Sequence, residues 1–305
     1  MPQKQHLPYI QMGLLEFHAR FAEERDCIKY LEKVRFSKGF ICPRCGSNAS
    51  GMIITRGLRQ CKRCSMQISI TAGTIFHRTR TSLLQWFWAI YLVANDKRGH
   101  SALQLSKELN IPYARAWFIM HKIRSAMTYR DLQYQLDGIV EMDDTYFGAP
   151  VPGKRGRGTR RTKVLIAVGI TEDNKPRFIK IKIVKRLDDR SVKTFACANI
   201  TKGSIIHTDG LNIYKNLAKL GFSHQPIVTP IATNENILYW THIIISNAKA
   251  FVLGTFHGLA KKHLQNYLDE FCYRFNRRYH ESELFDRLLL ACVFAPPKTY
   301  TELTE

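Results

Sequence analysis

The sequence predicts a multidomain protein in which a small cysteine-rich domain and a pair of helices precede an α/β domain with a helical C-terminal part. Two Cys-x-x-Cys motifs lie within residues 42–64, two helical stretches flank Asn110-Ile111-Pro112, and strand-like runs begin at residue 138. The chain of 305 residues is long enough for one large domain and one or two small ones, at roughly 100–200 residues per domain. The expected segments are an N-terminal helical segment over 1–36, the cysteine-rich domain over 37–78, helices over 79–132, the α/β domain over 138–290 and a tail over 291–305.

The chain is strongly basic, which bears on its partner. It has 46 Lys and Arg residues against 25 Asp and Glu, a formal net charge of +21. Such a charge attracts polyanions, of which nucleic acid is the commonest inside cells. Twelve of the cations, with only two acids, fall between Ala149 and Arg186. The charge therefore predicts a nucleic-acid partner, ahead of a merely solubilising surface or an anionic membrane.

The sequence gives no indication of a membrane protein. The longest nearly apolar run, Leu83–Ala94, has 12 residues, whereas a membrane-spanning helix needs about 20. The polar N-terminal segment also lacks the charged-then-apolar pattern of a secretory signal. We therefore expect a soluble, cytoplasmic protein with no membrane partner.

Four of the eight cysteines predict a metal site. Cys42 and Cys45 form one Cys-x-x-Cys motif, and Cys61 and Cys64 form another after 15 intervening residues. Each short turn directs two thiolates at one tetrahedral ion, so the spacing is typical of structural Zn²⁺. Disulfides are disfavoured inside cells, and no βαβ pattern supports a redox motif. With strands expected over 52–60 and 67–76, the segment is predicted to be a zinc ribbon; the other four cysteines are expected to be buried thiols.

Helices are expected on both sides of the ribbon. Apolar spacing predicts one or two helices over 14–34 and another beginning after Ser82. Residues 101–127 divide into two helical stretches, and Pro112 is suited to opening the second. This layout fits a helix-turn-helix, although a plain helical pair is the alternative. The second helix carries Arg115, His121, Lys122 and Arg124.

The α/β domain is predicted from residue 138 onward. Three β-branched or alternating runs cover 138–148, 163–171 and 177–184 and are bounded by Gly, Pro or charged turns. A helix from Asp188, a strand over 204–210, a helix over 211–222 and long helices after about Trp240 are expected to follow. This order predicts a mixed sheet with helices packed on it.

Two carboxylates in this domain stand in unusual places. Asp143, followed by Asp144, lies inside an apolar run, and Asp209 ends another. An unpaired carboxylate in a core strand is destabilising unless it binds a cation. Carboxylates from adjacent strands would offer oxygen ligands to Mg²⁺, and two ions about 4 Å apart would support phosphodiester displacement. The alternative for Asp209-Gly210 is a turn or a helix N-cap.

Six segments resemble the zinc-ribbon insertion-sequence transposases of the ISXO-two-like, or insertion-sequence fifteen-ninety-five, group. VEMDDTYFGAP resembles the first aspartate segment of that family, HTDGLNIY its second, and GTFHGLAKKHLQNYLDEFCYRFNRR its C-terminal signature. FAEERDCIKYLEKVRFSKGFICPRCG resembles the approach to its zinc ribbon, and GHSALQLSKELNI with ARAWFIMHKIRSAM its helix-turn-helix. The segments occur in the family's order from about residue 16 to residue 285.

The resemblance implies an RNase H-like catalytic domain that cuts and joins DNA at transposon ends. In that chemistry water and then a DNA 3′-OH attack phosphodiesters, assisted by two Mg²⁺ or Mn²⁺ ions. Carried over by position, Asp143 and Asp209 are the first two metal ligands, and Asp144 has a supporting role. The implied partners are double-stranded DNA, as element ends and target, and further copies of the chain in a nucleoid-associated complex.

The third ligand departs from the family pattern, which resembles a DDE arrangement with Glu seven residues before a Lys. Lys249 matches that Lys, and His242 stands seven residues before it. Seven residues are about two helical turns, so both side chains would share one face. The resemblance then implies an Asp-Asp-His variant in which Lys249 contacts a terminal phosphate or base. Asn247, Glu235 and a decayed site in an inactive copy are the alternatives.

Three groups of basic residues are predicted to bind DNA, mainly through phosphates. One is a Gly/Arg-rich stretch between the first two strands of the α/β domain, which is otherwise a solvated loop. The second lies on the second helix of the helix-turn-helix, and the third shares one helical face by i, i+3, i+4 spacing. In order, the groups are Lys154, Arg155, Arg157, Arg160, Arg161 and Lys163; Arg115, Lys122 and Arg124; and Arg274, Arg277 and Arg278.

Two other functions fit the same sequence. A catalytically inactive or domesticated zinc-ribbon regulator would bind DNA without cutting it in any metal. A structure-specific nuclease on the same fold would cut DNA but not join it. A strand-transfer assay separates these functions from transposition.

Replacing Arg155, Arg157, Arg160 and Arg161 together should flatten the salt dependence of DNA binding, because fewer phosphate contacts release fewer counterions. Each lost contact should reduce the slope of log affinity against log salt by roughly 0.9. Fluorescence-anisotropy titrations of duplex DNA at several salt concentrations measure that slope. An unchanged slope would show that this stretch does not contact DNA.

Overall fold

The computed structural model describes residues 12–53, 56–148, 161–227, 238–257 and 259–304. The chain divides into two compact units, Met1–Arg130 with Tyr279–Glu305, and Asp131–Arg278. We call these the first unit and the second unit. Within the described ranges, no helix is both long and apolar enough to cross a membrane.

The first unit contains a small antiparallel sheet and most of the helices. Its strands, in the order β1-β2-β3, are β1 (Ser50–Ile53), β2 (Leu58–Cys61) and β3 (Gln67–Ser69). Its helices are α1 (Leu14–Arg20), α2 (Glu24–Arg35), α3 (Leu83–Asn95), α4 (Ala102–Glu108), α5 (Tyr113–Asp131, ending at the unit boundary), α9 (Leu284–Phe294) and α10 (Tyr300–Thr304).

The C-terminal segment belongs to the first unit because aromatic packing holds it there. The ring of Phe285 on α9 lies 5.2 Å from that of Phe17 on α1 and 5.7 Å from that of Phe87 on α3, centroid to centroid. All three side chains are buried, and the Tyr30 hydroxyl donates to Asp286 at 2.6 Å. The expected extension of the α/β domain to residue 290, with a separate tail over 291–305, therefore differs from the structure.

The second unit is built on one mixed sheet. Its elements are β4 (Ile139–Phe147), β5 (Thr162–Ile170), β6 (Pro176–Val184), α6 (Asp189–Asn199), β7 (Ile205–Thr208), β8 (Ser223–Pro226), α7 (Tyr239–Thr255) and α8 (Leu264–Asn276). The strand order is β6-β5-β4-β7-β8. The first three strands pair antiparallel, and β4, β7 and β8 pair parallel. The predicted succession of three strands, a helix and a strand is thus present.

Helices cover both faces of this sheet, and the interior strand β5 is apolar on both faces. Leu165 and Ala167 pack with residues of α6. Val164, Ile166 and Val168 pack on the opposite face with residues of α7 and α8. The continuous apolar run of β5 follows from this two-sided burial.

The segment after β7 was predicted to be a helix over 211–222, and that prediction is wrong. It forms two short 3₁₀ turns, Asn212–Tyr214 and Ala218–Leu220, and Gly221 then adopts a left-handed conformation with φ of 89°. Tyr214 is buried, and β8 follows, a strand that the polar sequence SHQP does not indicate. The chain turns back early because β8 pairs with β7 at the sheet edge.

The outer edge of β6 is covered by amide side chains of α8. Asn276 accepts from the backbone N–H of Ile179 at 2.8 Å and donates to its carbonyl at 3.2 Å. Gln265 likewise accepts from Ile183 at 2.8 Å and donates to Ile181 at 3.1 Å. An edge strand with satisfied backbone groups is not available to pair with another chain.

Phe285→Ala should destabilise the first unit by about 3–5 kcal/mol, because it leaves a cavity among packed aromatic rings. Urea unfolding followed by tryptophan fluorescence measures the loss. Phe294→Ala is the matched control, since Phe294 lies on the same helix but is 52% exposed. Equal effects of the two substitutions would contradict the placement of α9 in this core.

Candidate active site and zinc site

The four cysteines of the paired motifs form a cluster that fits a tetrahedral metal ion. The sulfur atoms of Cys42 and Cys64 are 3.5 Å apart, those of Cys45 and Cys61 are 3.6 Å apart, and all four lie within 4.8 Å of one another. Zn–S bonds of about 2.3 Å place tetrahedral sulfurs about 3.8 Å apart. The cluster therefore matches structural zinc in both ligand type and spacing.

The two cysteine turns are built alike, which explains the spacing of the motifs. The backbone N–H of Gly46 donates to the Cys42 carbonyl, and that of Ser65 donates to the Cys61 carbonyl. Gly46 and Ser65, each four residues after the first cysteine of its motif, have left-handed backbones with φ of 71° and 55°. The backbone N–H of Cys64 is the largest cause that lowers the pKa of Cys61, whereas burial and the contacts with the other three sulfurs raise the pKa of Cys64 against the backbone N–H of Met66. The four thiols therefore share protons, which a metal ion would displace.

The remaining cysteines lie outside this cluster. Cys27, Cys272 and Cys292 are buried, as predicted, whereas Cys197 is exposed. The expectation of a buried thiol is therefore wrong for Cys197, which lies on the outer side of α6 next to the buried Ala196.

The parallel pairing of β4 with β7 brings Asp143 and Asp209 to one place. Glu141 lies opposite His207 in that pairing, and each aspartate follows two residues later. Side chains two residues apart point to the same face of a strand. Asp143 therefore shares the face of Glu141, and Asp209, one residue beyond β7, lies at the same end of the sheet, where its charge raises the pKa of Asp143.

Helix α7 places His242 beside the first of these carboxylates. Its Nε2 lies 3.5 Å from Oδ2 of Asp143; the side chains are 49% and 13% exposed respectively. The helix is held on the sheet by Ile244, Ala248 and Val252, which recur every four residues along its buried face. The exposed histidine thus reaches the site from a helix whose opposite face is fixed by packing.

Asp143 is a carboxylate in an environment that opposes its charge. Burial, followed by the neighbouring charges of Asp144 and Asp209, raises its pKa to about 6, against a partial lowering by the backbone N–H of Asp144 and by His242. That N–H donates to Oδ1 of Asp143 at 2.7 Å. A bound cation would relieve this unfavourable charge.

Asp144 occupies the opposite face of β4 and is held by a buried tyrosine. The hydroxyl of Tyr214 donates to Oδ1 of Asp144 at 3.3 Å. Burial, and then the charges of Asp144, Asp143 and Asp209, raise the pKa of Tyr214 well above its usual range. Tyr214 therefore stays protonated as a hydrogen-bond donor, which fits a supporting place for Asp144.

Two cationic side chains lie near the acidic group. The Nζ of Lys249 lies 6.0 Å from the ring centroid of Phe147, on the same face of β4 as Asp143. Arg161 donates to the carbonyls of Gly148 at 3.0 Å and Tyr146 at 3.2 Å. Burial and the charge of Arg161 lower the pKa of Lys249, while the charge of Asp143 raises it. Lys249 therefore interacts electrostatically with Asp143, and Arg161 with Lys249.

The donor set of Asp143, Asp209 and His242 fits a divalent ion in chemical type, with two carboxylates and an imidazole. In the described parts of the chain, however, only the four cysteines bring three or more ligand atoms within 4.8 Å of one another. Asp209 instead accepts from the backbone N–H of Leu211 at 3.1 Å. The structure thus pairs Asp143 with His242 and leaves Asp209 near them but turned into its own loop.

The other candidates for the third ligand are less well placed. Glu235 lies outside the described residues. Asn247 lies on α7, five residues after His242, and is exposed.

Burial corrects the assignment of Lys122 and Arg124 to a DNA-contacting face. Residues 119–124 of α5 are buried without interruption, so this part of the helix is enclosed on all sides. Lys122 donates to the carbonyl of Ile75 at 2.8 Å and lies over the ring of Phe118. Of the three predicted contacts on this helix, Arg115 alone is exposed, in the first turn.

The third basic group is also engaged within the protein, which corrects its assignment. Arg274 donates through Nε and Nη2 to Oε1 of buried Glu270, at 2.9 and 2.7 Å. Arg277, itself buried, pairs with Asp131 at 2.7 Å, and Arg278 donates to three backbone carbonyls. Because α8 ends at Asn276, these side chains do not form one helical face.

Most cations of the predicted Gly/Arg-rich stretch lie outside the residues that the structure describes. Lys154, Arg155, Arg157 and Arg160 lie outside the described residues, whereas Lys163 is half-buried at the start of β5.

Sequence reasoning missed one polar residue of the site, Glu141. It is buried, and its Oε2 accepts from both the backbone N–H and the hydroxyl of Thr241, at 2.8 and 2.9 Å. The signal was present, since an acid inside an apolar strand needs a partner. The sequence could not show which partner, because Thr241 lies 100 residues further along the chain.

Comparisons with known proteins agree with this organisation. The ISXO2-like transposase domain matches residues 135–276, and the transposase zinc-ribbon domain matches residues 22–67. No curated protein matches the chain. Among solved structures, the Mos1 mariner paired end complex with Mn is 13% identical, with a TM-score of 0.30, covering 67% of this chain and 77% of that chain. A likeness of that size carries no argument about fold or function.

A cysteine-clustered ribbon followed by an α/β domain with an acidic site defines a zinc-ribbon transposase with a DDE transposase domain. Both matched domains come from one group of mobile elements, and together they cover more than half of the residues. The chain belongs to the ISXO2-like family of insertion-sequence transposases.

Asp143→Asn should stabilise the metal-free protein at pH 7.5. Because the pKa of Asp143 is raised from 3.8 to about 6, its ionisation destabilises the folded state progressively between these values and fully above them. At about 1.4 kcal/mol per pKa unit, the gain reaches up to about 3 kcal/mol at pH 7.5 and disappears near pH 4. Urea unfolding at pH 7.5 and at pH 4, without added divalent ions, measures the free energy of unfolding of both proteins and so the gain at each pH.

Asp137→Asn is the control for this substitution, since Asp137 is 66% exposed beside Arg177. A gain from Asp143→Asn that is equally large at pH 4, or absent at both pH values, would contradict the raised pKa.

Proposed function

We propose that this transposase cuts and joins DNA at the ends of an insertion sequence, using Asp143, Asp209 and His242 as ligands for divalent metal ions. The observation that carries the proposal is the meeting of Asp143 and His242, 3.5 Å apart, beside the strand end that carries Asp209. A carboxylate and an imidazole in contact, with a second carboxylate nearby, form a donor set that suits a divalent ion.

The sheet of the second unit supports an RNase H-like assignment. Three antiparallel strands are followed by a helix and two further strands that extend the sheet in parallel from β4. In this arrangement the first and fourth strands are neighbours, and their carboxylates share one end of the sheet. The acidic site therefore occupies the place that parallel pairing creates.

The side chains around the acids have roles that follow from their charge. Asp143, Asp209 and His242 would hold one or two divalent ions, which when bound would supply charge neutralisation at the phosphate and activation of the attacking water or 3′-OH. Lys249 and Arg161 would bind phosphate oxygens and orient the scissile phosphodiester. Tyr214 would keep Asp144 hydrogen-bonded and so preserve the backbone N–H contact from Asp144 to Asp143.

DNA recognition is assigned to the first unit. Helix-turn-helix proteins contact bases with the first residues of their second helix, and Arg115 is exposed in the first turn of α5. The ribbon adds Arg44, Lys62 and Arg63 within its cysteine motifs. Joining requires two element ends in one complex, so we further propose that copies of the chain assemble on nucleoid DNA.

Asp143→Asn should abolish strand transfer while leaving duplex binding intact, because it removes the central ligand without touching the first unit. We expect a loss of at least a hundredfold, which corresponds to about 3 kcal/mol of transition-state stabilisation. The assay joins labelled terminal-repeat DNA from the element to a plasmid target. Asp137→Asn should retain wild-type activity.

The same assay tests the alternatives. Binding without nicking in any divalent ion would identify a DNA-binding regulator instead. Nicking without joining would identify a nuclease.

His242→Ala should reduce the cleavage rate at least tenfold, and wild-type protein should be at least as active in Mn²⁺ as in Mg²⁺, because imidazole suits transition metals better. Initial rates of nicking in each ion measure both effects. Asn247→Ala, an exposed change on the same helix, is the control. Wild-type rates for His242→Ala in both ions would remove His242 from the ligand set.

A further inference from the structure

The buried side chain of Glu141 joins β4 to the start of α7. Its Oε2 accepts two hydrogen bonds from Thr241, one from the backbone N–H at 2.8 Å and one from the hydroxyl at 2.9 Å. Glu141 is 8% exposed and Thr241 is fully buried. Both bonds therefore form away from water, where their loss would leave buried polar groups unsatisfied.

This contact replaces the usual cap of the helix. The N-cap position of α7 is Leu238, which has no side-chain oxygen and adopts a left-handed backbone with φ of 64°. The first N–H groups of a helix need acceptors, and negative charge is favoured at that end. The carboxyl group of Glu141, on the neighbouring strand β4, supplies an acidic acceptor at this end of α7. The contact thereby fixes the position along β4 at which the helix begins.

The contact also fixes the geometry of the metal-binding pair. Glu141 precedes Asp143 by two residues and shares its face of β4, and Thr241 immediately precedes His242. Two contacts between β4 and α7 therefore follow one another along β4. Glu141 contacts Thr241, and Asp143 contacts His242 at 3.5 Å. A shift of α7 along β4 would separate the second pair as well as the first.

We propose that Glu141 is a positioning residue, which holds His242 at the metal site through Thr241. This inference rests on the proposed function, since it concerns the ligand His242. Groups that orient a metal ligand commonly change metal affinity 10–100-fold when they are removed. Glu141 would act on the ion through the helix start and not by contact with it.

Mn²⁺ titration of the full-length, zinc-loaded protein, followed by the electron paramagnetic resonance of free Mn²⁺, tests the proposal without any activity assay. Glu141→Ala should weaken Mn²⁺ binding at least tenfold, and Glu141→Gln, which keeps an acceptor oxygen, should lose less. Thr241→Val keeps the side-chain volume and the backbone N–H, so it gives a folded variant that lacks only the hydrogen bond from the hydroxyl. This variant should also bind Mn²⁺ more weakly. Thr241→Ser, which keeps the hydroxyl, should bind Mn²⁺ as the wild type does.

Two comparisons separate positioning from a general loss of stability. Glu270→Ala also removes a fully buried glutamate, paired with Arg274 within α8, and should destabilise the protein without changing Mn²⁺ affinity. In a His242→Ala background, Glu141→Ala should weaken Mn²⁺ binding no further, because the two residues act through one ligand.

The outcomes distinguish a failure of the positioning role from a failure of the proposed function on which it rests. If Asp143→Asn weakens Mn²⁺ binding but the Glu141 and Thr241 variants do not, the positioning role is overturned and the metal site stands. Full additivity of Glu141→Ala with His242→Ala would also overturn it. If Asp143→Asn leaves Mn²⁺ binding unchanged, the proposed metal site itself fails.

Discussion

The parallel pairing of β4 with β7 is the constraint on which the acidic site depends. Strand β4 contributes Asp143 on one face and Asp144 on the other, and pairing with β7 adds Asp209 beside the first. In an antiparallel pairing, the C-terminal end of β7 would lie at the opposite end of the strands, away from Asp143. Burial and, after it, the charges of Asp144 and Asp209 raise the pKa of Asp143, so that its ionisation is unfavourable for folding. The fold therefore holds an ionisable acid in a place that is unfavourable for its charge.

The features predictable from sequence are those that depend on local spacing. The cysteine motifs predicted the zinc cluster because each cysteine turn is complete within five residues. The apolar runs of β4 to β6 predicted strands because the strand pattern is also local. Asp143 and Asp209 were singled out as acids in apolar runs, whereas His242 was found only through resemblance to a family. The approach of Asp209 to Asp143 depends on the register of β4 with β7, and that of His242 on the packing of α7; no local pattern encodes either.

Other features depended on contacts between distant residues and could not be predicted. The sequence SHQP becomes β8 only because β7 offers an edge, and Glu141 finds its partner 100 residues away. The basic residues show the same limit. Lys122 and Arg277 look like surface cations by composition, yet both are buried, and their neighbours supply a carbonyl and a ring to the first and a carboxylate to the second. Arg124 is buried as well. Net charge therefore overstates the cationic surface that this protein offers to DNA.

The return of the C-terminal segment to the first unit has a consequence for biosynthesis. The second unit, Asp131–Arg278, interrupts the first in the chain, and its two ends are clasped by the buried pair of Asp131 with Arg277. The ribosome must complete the inserted unit before it makes Phe285, so the helices that precede the second unit lack this aromatic partner until that unit has been synthesised. A nascent chain released early would carry a finished sheet but an incomplete helical core, and would be a natural target for quality-control proteases.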